Sequence, residues 1–189
     1  DSGKVYLDGK EIVLKNIRDS LKNGLVLVPE ERRKQGIVQS LTVRENATIG
    51  DLKDYSHLGL INKAKEKKDV KGLIEKLRIR TSGTEQKVGN LSGGNQQKVV
   101  LAKWMNQPVK VFFLDEPTRG IDVGAKTEIY KLIGGIAAQG AAVVVVSSEL
   151  LELQAVCDRV LVMKEGRIKA EVMRDELESE TVLRHAIDA

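Results

Sequence analysis

Val109-Lys110-Val111-Phe112-Phe113-Leu114-Asp115-Glu116-Pro117 is a mostly apolar run that ends on two adjacent carboxylates and is closed by proline. A short run of this kind, bounded by Pro108 and Pro117, predicts a strand buried within a parallel sheet. Its C-terminal end then places both acids at the edge where open α/β sheets bind their ligands. Successive strand side chains point oppositely, but a strand end can turn both toward one pocket. Asp115 offers hard oxygen ligands suited to Mg²⁺, usually through water. Glu116 suits a general base that orients an attacking water. Two solvated acids at a strand end would read the same way, so this run needs a companion.

The companion lies upstream, in Leu91-Ser92-Gly93-Gly94-Asn95-Gln96-Gln97-Lys98. A hydroxyl and two glycines open a helix that runs to about Asn106, with Ser92 as its expected cap. Unpaired amides and the positive end of the helix dipole make such a start a site for anions, and glycine allows backbone to approach a phosphate.

Working outward, Ala125 to Gln139 predicts a helix with Gly140 at its C-terminal end, and Ala142 to Val146 a second fully buried strand. Two such strands joined through a helix make a right-handed parallel crossover. Leu25 to Val28, stopped by Pro29, reads as another short strand, and Asp8-Gly9 after Lys4 to Leu7 as a hairpin turn. Glu30 to Gly36 reads as a charged loop. From Thr42 to about Arg80 the pattern is helical, opened by a Thr42-Val43-Arg44-Glu45 capping box and continued by Lys63 to Leu77, with Val70, Leu73, Ile74 and Leu77 on one face. Beyond the second strand come a helix from Glu149 to Val156, a hairpin around Glu165-Gly166, and a last helix from about Asp175 to Ala186.

Composition narrows the possibilities. In 189 residues, hydrophobic side chains make 41% and charged ones 31%, which fits a globular chain and not a disordered one. Aromatics are only 3%, so the core must rest on aliphatic residues. The formal charge of +4 is spread over runs such as Glu31-Arg32-Arg33-Lys34 and Lys63 to Lys68 that mix both signs, which reads as solvated surface more than as a nucleic-acid stripe. Cys157 is the sole cysteine, so no internal disulfide can form. It reads as a small buried residue. Trp104 reads as packing, and His57 and His185 lack ligand partners at metal spacing.

Taken together, Leu-Ser-Gly-Gly-x-Gln-Gln, a helix, and an apolar strand ending Asp-Glu-Pro-Thr resemble the ABC ATPase family. Thr118-Arg119-Gly120-Ile121-Asp122 stands where that family keeps its D-loop. Pro29 to Gly36 and Pro117 to Lys126 further resemble the second halves of double-domain ATPases in monosaccharide importers. The resemblance implies an α/β, P-loop NTPase-like core with an inserted helical subdomain. The division it implies is 1–29 as the first part of the core, 30–91 as the helical subdomain, 92–172 as signature helix, Walker B strand, D-loop and remaining core, and 173–189 as a C-terminal helix.

For function, the resemblance implies ATP and Mg²⁺ as cofactors and a second nucleotide-binding domain closing head to tail. Ser92, Gly93, Gly94 and Gln96 would serve the nucleotide of the partner domain, Asp115 would hold Mg²⁺ through water, Glu116 would orient water, and Asp122 would cross the interface. The helical subdomain and the Glu30 loop would meet a membrane permease, served in turn by a periplasmic sugar-binding protein. The location implied is peripheral, on the cytoplasmic face of the inner membrane, with no nucleic acid involved.

Three departures qualify the resemblance. No GxxxxGK[ST] phosphate loop occurs; Gly120 to Thr127 only imitates one, with a residue between its second glycine and Lys126. The reading therefore expects a fragment whose phosphate loop precedes Asp1, inactive alone and, with a central strand missing, prone to self-associate. Glu30 replaces the usual Q-loop glutamine, and Ser148 the usual switch histidine. The rival readings are an ABC ATPase acting on nucleic acid or ribosomes, and a non-catalytic interaction module.

Overall fold

The computed structural model describes residues 3–177 of the chain. It opens on an antiparallel hairpin of β1 (Val5–Leu7) and β2 (Lys10–Ile12). Asp8 and Gly9 between them have φ of 52° and 75°, the mirror-image turn that an Asp-Gly pair favours. α1 (Ile17–Lys22), capped by the Asn16 side chain, leads through Gly24 into β3 (Leu25–Val28). A Cβ on Gly24 would lie 2.8 Å from the carbonyl oxygen of Pro108, so this strand start can meet its neighbour only as glycine.

The middle of the chain is mainly helical, with α2 (Val43–Thr48), a small hairpin of β4 (Ser56–His57) and β5 (Leu60–Ile61), and α3 (Lys63–Lys76). Then follow α4 (Gly93–Met105), β6 (Val111–Asp115), α5 (Val123–Ala138), β7 (Ala142–Val146) and α6 (Leu150–Val156). A hairpin of β8 (Arg159–Lys164) and β9 (Arg167–Met173) comes last, turning at Glu165 and Gly166 with φ of 51° and 73°.

β3, β6 and β7 form one parallel sheet in that order, with Leu27, Phe113 and Val144 in register across it. The β6-α5-β7 crossover is the one the sequence predicts. One face carries Val26, Val28, Phe112 and Leu114, all nearly inaccessible, against Val99 and Val100 of α4 and Ile129 and Ile133 of α5. The other face is open: Leu27, Phe113 and Val144 are 57%, 39% and 45% exposed. β7 is thus half-buried, against the expectation of full burial, because among the described residues helices cover one face of the sheet and not the other.

The helical segment is held from within. Thr42 Oγ1 accepts the Glu45 amide at 3.2 Å while the Glu45 carboxylate accepts the Thr42 amide at 2.9 Å, completing the expected capping box. Arg44, only 7% exposed, donates to Glu66 at 2.6 Å and to Glu85 at 3.1 Å, and the Thr48 hydroxyl donates to Glu66 at 2.6 Å. Buried charges persist when paired and hydrogen-bonded, and this cluster ties α2 to α3. Val70, Leu73 and Leu77 are buried as their spacing predicts.

Several expectations change. Arg32–Gly36 is a π-helical turn, not a loop. The helical segment contains the β4–β5 hairpin, and Glu66 within the charged run of α3 is buried instead of solvated. Arg174–Glu176 forms a 3₁₀ turn where the last helix was expected to begin, and residues 178–189 of that helix lie outside the described residues. Cys157 is half-buried; burial pushes its thiol up from the ordinary value, which keeps it in the unreactive form.

Candidate functional site at the carboxylate edge of the sheet

β6 and β7 end side by side, with Asp115 opposite Val146. The Glu116 amide extends the ladder by one step, donating to the Val146 carbonyl at 2.8 Å. Glu116 itself has φ of 44°, the left-handed region that side-chain-bearing residues seldom occupy. That turn ends the strand's alternation directly after Asp115. It lets the Glu116 carboxylate accept the Ser148 amide at 2.7 Å. The structure thereby joins two of the predicted residues, Glu116 and Ser148, through the main chain of Ser148 and not its hydroxyl.

Asp115 is half-buried, and its carboxylate engages no protein group among the described residues. No group of three or more His, Cys, Asp or Glu side chains able to hold a metal occurs among them either. One carboxylate at a sheet edge nevertheless fits Mg²⁺, which commonly takes one or two carboxylates and fills its shell with water and phosphate oxygens. Beyond the edge, Lys126 donates to Glu149 at 2.6 Å, and this bond holds the Lys126 ammonium above its ordinary value.

The segment from Glu116 to Asp122 links this edge to the start of α4. The Arg119 amide donates to the Glu116 carbonyl at 3.1 Å, and the Ile121 amide to the Thr118 carbonyl at 3.2 Å. Thr118 is fully buried with its hydroxyl unpartnered. Asp122 caps α5, its Oδ1 accepting the Ala125 amide at 2.9 Å. That gives it a local role besides the interface role expected of it.

At the start of α4, Ser92 occupies the cap position, but its side chain caps nothing. Its hydroxyl accepts from the Asn95 side-chain amide at 2.9 Å, and Asn95 Oδ1 accepts the Arg80 amide at 2.8 Å. The two glycines answer to the protein's own packing. A Cβ on Gly93 would lie 2.6 Å from Arg32 Nη2 and 3.1 Å from the Gly120 carbonyl oxygen; one on Gly94 would lie 2.7 Å from the Ala125 Cβ. Their lack of a side chain is thus required by contacts within the protein, apart from any approach of phosphate. Gln96 is fully buried, donates to the Val88 and Gly89 carbonyls at 3.3 and 3.4 Å, accepts from Arg33 Nε at 3.2 Å, and so braces the start of α4.

Glu30 pairs with the Arg119 guanidinium. Beside this pair a cleft of about 480 Å³ is lined by residues 30–34 with Arg119 and Gly120. Arg32, Asn95 and Arg119 are the residues that sequence reasoning did not single out. Arg32 and Arg33 lie in a run that reads as solvated, yet each side chain also bonds a group far along the sequence, Arg32 the Arg119 carbonyl and Arg33 the Gln96 side chain. No helix among the described residues is long and apolar enough to cross a membrane.

Comparison with known proteins places this geometry. The ABC transporter family model matches residues 1–119. The xylose import ATP-binding protein XylG of Moorella thermoacetica is 48% identical over 183 residues, 97% of this chain and 36% of its own length. The arabinose import ATP-binding protein AraG of Pseudomonas savastanoi pv. phaseolicola is 47% identical over 187 residues, 98% of this chain and 37% of its own length. The chain thus spans little more than a third of these relatives. Among solved structures, the ADP conformation of MJ1267, an ATP-binding cassette of an ABC transporter, superposes with a TM-score of 0.80 at 23% identity, covering 100% of this chain and 78% of that one.

Proposed function

The chain belongs to the ABC transporter family, with the α/β fold of an ATP-binding cassette, and from that premise we propose that it serves the ATP-driven import of a monosaccharide across a bacterial inner membrane. The observation that carries the chemical part of this reading is Glu116, turned out of the strand by its left-handed backbone and held by the Ser148 amide next to Asp115. The carboxylate is fixed in position, so it can receive the proton of a water aligned with a terminal phosphate without reorganising. Asp115 would hold Mg²⁺, which when bound offsets phosphate charge. Similarity to import proteins named for xylose and for arabinose supports a pentose or related sugar as cargo and leaves the particular sugar to other parts of the system.

In this reading Ser92 and Gly93, at the positive end of α4, face the nucleotide of a second nucleotide-binding domain, and Asp122 lies on the same interface. The helical segment 30–91 meets the permease, a periplasmic sugar-binding protein delivers the cargo, and the chain sits peripherally on the cytoplasmic side. In this reading turnover belongs to the assembly of two nucleotide-binding domains. The test is uptake of radiolabelled xylose, arabinose and ribose by cells whose importer carries Glu116→Gln in this chain. Loss of uptake of one sugar supports the reading; unchanged uptake of all three defeats it.

A further inference from the structure

Arg32 makes a connection that the reading above does not use. It stands at the head of the π-helical turn, where the Ile37 amide donates to the Arg32 carbonyl at 2.8 Å, and extra-wide turns of this kind often mark functional positions. Its guanidinium crosses to the far turn, where Nη1 donates to the Arg119 carbonyl at 2.7 Å and Nη2 to the Gly120 carbonyl at 3.2 Å. The Arg119 side chain returns the contact by pairing with Glu30, so the two segments clasp each other in both directions. The same Nη2 lies against the first turn of α4, in the space a side chain on Gly93 would fill. Gly120, with φ of 64°, presents its carbonyl to that point as well. A cation set against the positive end of a helix is electrostatically uphill unless an anion joins it.

We propose that Arg32 is a positioning residue that locks the Ser92-Gly93 turn to the Arg119-Gly120 turn and presets both, with added positive charge, for nucleotide phosphate; this rests on the ATP reading above. Lysine keeps the charge but not the planar fork that spans two carbonyls. The test uses the assembled ATPase carrying this chain, with Arg32→Gln, Arg32→Lys, Arg32→Ala, Gly93→Ala and the Arg32→Ala/Gly93→Ala pair. MgATP turnover is read as kcat and KM separately, and hydrogen exchange is read at residues 92–96 and 119–121.

Arg32→Gln and Arg32→Lys are each expected to lower kcat about tenfold with KM within about threefold, while the melting temperature holds. Gly93→Ala is expected to speed exchange at 119–121 in the wild-type background and to do so clearly less once Arg32 is alanine, where only the 3.1 Å approach to the Gly120 carbonyl remains. Equal effects of Gly93→Ala in both backgrounds would overturn the lock, and so would near-normal kcat in Arg32→Gln. A wild-type assembly that turns over no ATP would defeat the functional reading instead, and the exchange cycle, which needs no nucleotide, would still decide whether Arg32 joins the two turns.

Discussion

At the scale of single residues, the site depends on backbone placement as much as on side-chain identity. Glu116 holds a left-handed conformation that costs a non-glycine residue on the order of 1 kcal/mol, and strain of this sort gathers at functional positions. Glu116→Gln keeps an oxygen for the Ser148 amide, so the protein should fold and melt as before while turnover in the assembly falls about 10²- to 10⁴-fold, the usual contribution of a general base. Single-turnover kinetics on the assembly checks this; a loss under tenfold would remove Glu116 from the chemistry. The sequence pointed to Asp115 and Glu116 because an apolar strand with acidic residues at its end has a narrow meaning. It could not point to Arg32, because composition describes a charged run only on average. A residue that reaches 87 positions along the chain leaves no local trace.

At the scale of elements, some local rules were read correctly and others were not. The capping box at Thr42 is one of the former, and Thr42→Ala should cost about 1 kcal/mol, seen as a lower urea midpoint at constant slope. The Ser92 cap failed for a physical reason: the hydroxyl that would cap α4 accepts from the Asn95 side-chain nitrogen, and Asn95 is itself held by accepting the Arg80 amide on its side-chain oxygen. Between elements, Lys98 of α4 is 2% exposed and donates to Glu128 of α5 at 2.7 Å and to the Arg78 carbonyl at 2.8 Å. That hydrogen bond holds the Glu128 carboxyl below its ordinary value. A carboxyl depressed in the folded state contributes stability above its unfolded value and loses it as pH falls through the lower folded one. Glu128→Gln, which keeps an oxygen for Lys98 but removes the charge, should therefore lower the melting temperature at neutral pH, by the equivalent of about 1 kcal/mol or less for a pair whose carboxylate is 41% exposed. The gap to wild type should close on acidification through the carboxylate range. Melting curves across that range check it, and a gap independent of pH would show that the Glu128 charge contributes nothing through Lys98.

At the scale of the whole molecule, the sheet's two faces have opposite fates. The helical face forms the main core, whereas Leu27, Phe113 and Val144 lie in register across the open face and Val146 extends it, 58% exposed. Contiguous apolar surface of this kind is unusual on a monomer and marks a face that something covers. The sequence conveys β7 as a fully apolar strand and so implies burial on both sides; periodicity reports what a strand is suited for, and what covers it is a matter of tertiary neighbours. For this chain in isolation, a second copy is a fitting cover, and stacking two open faces would bury both copies of these four large side chains at once. Light scattering should then show a weight-average mass that rises with concentration. Val144→Glu, which places a carboxylate in the middle of that face with no partner in register, should hold the chain at its monomer mass while the helix-covered core is left intact. A wild-type mass that stays at one chain up to high concentration would mean that the face is too small or too well hydrated to drive association.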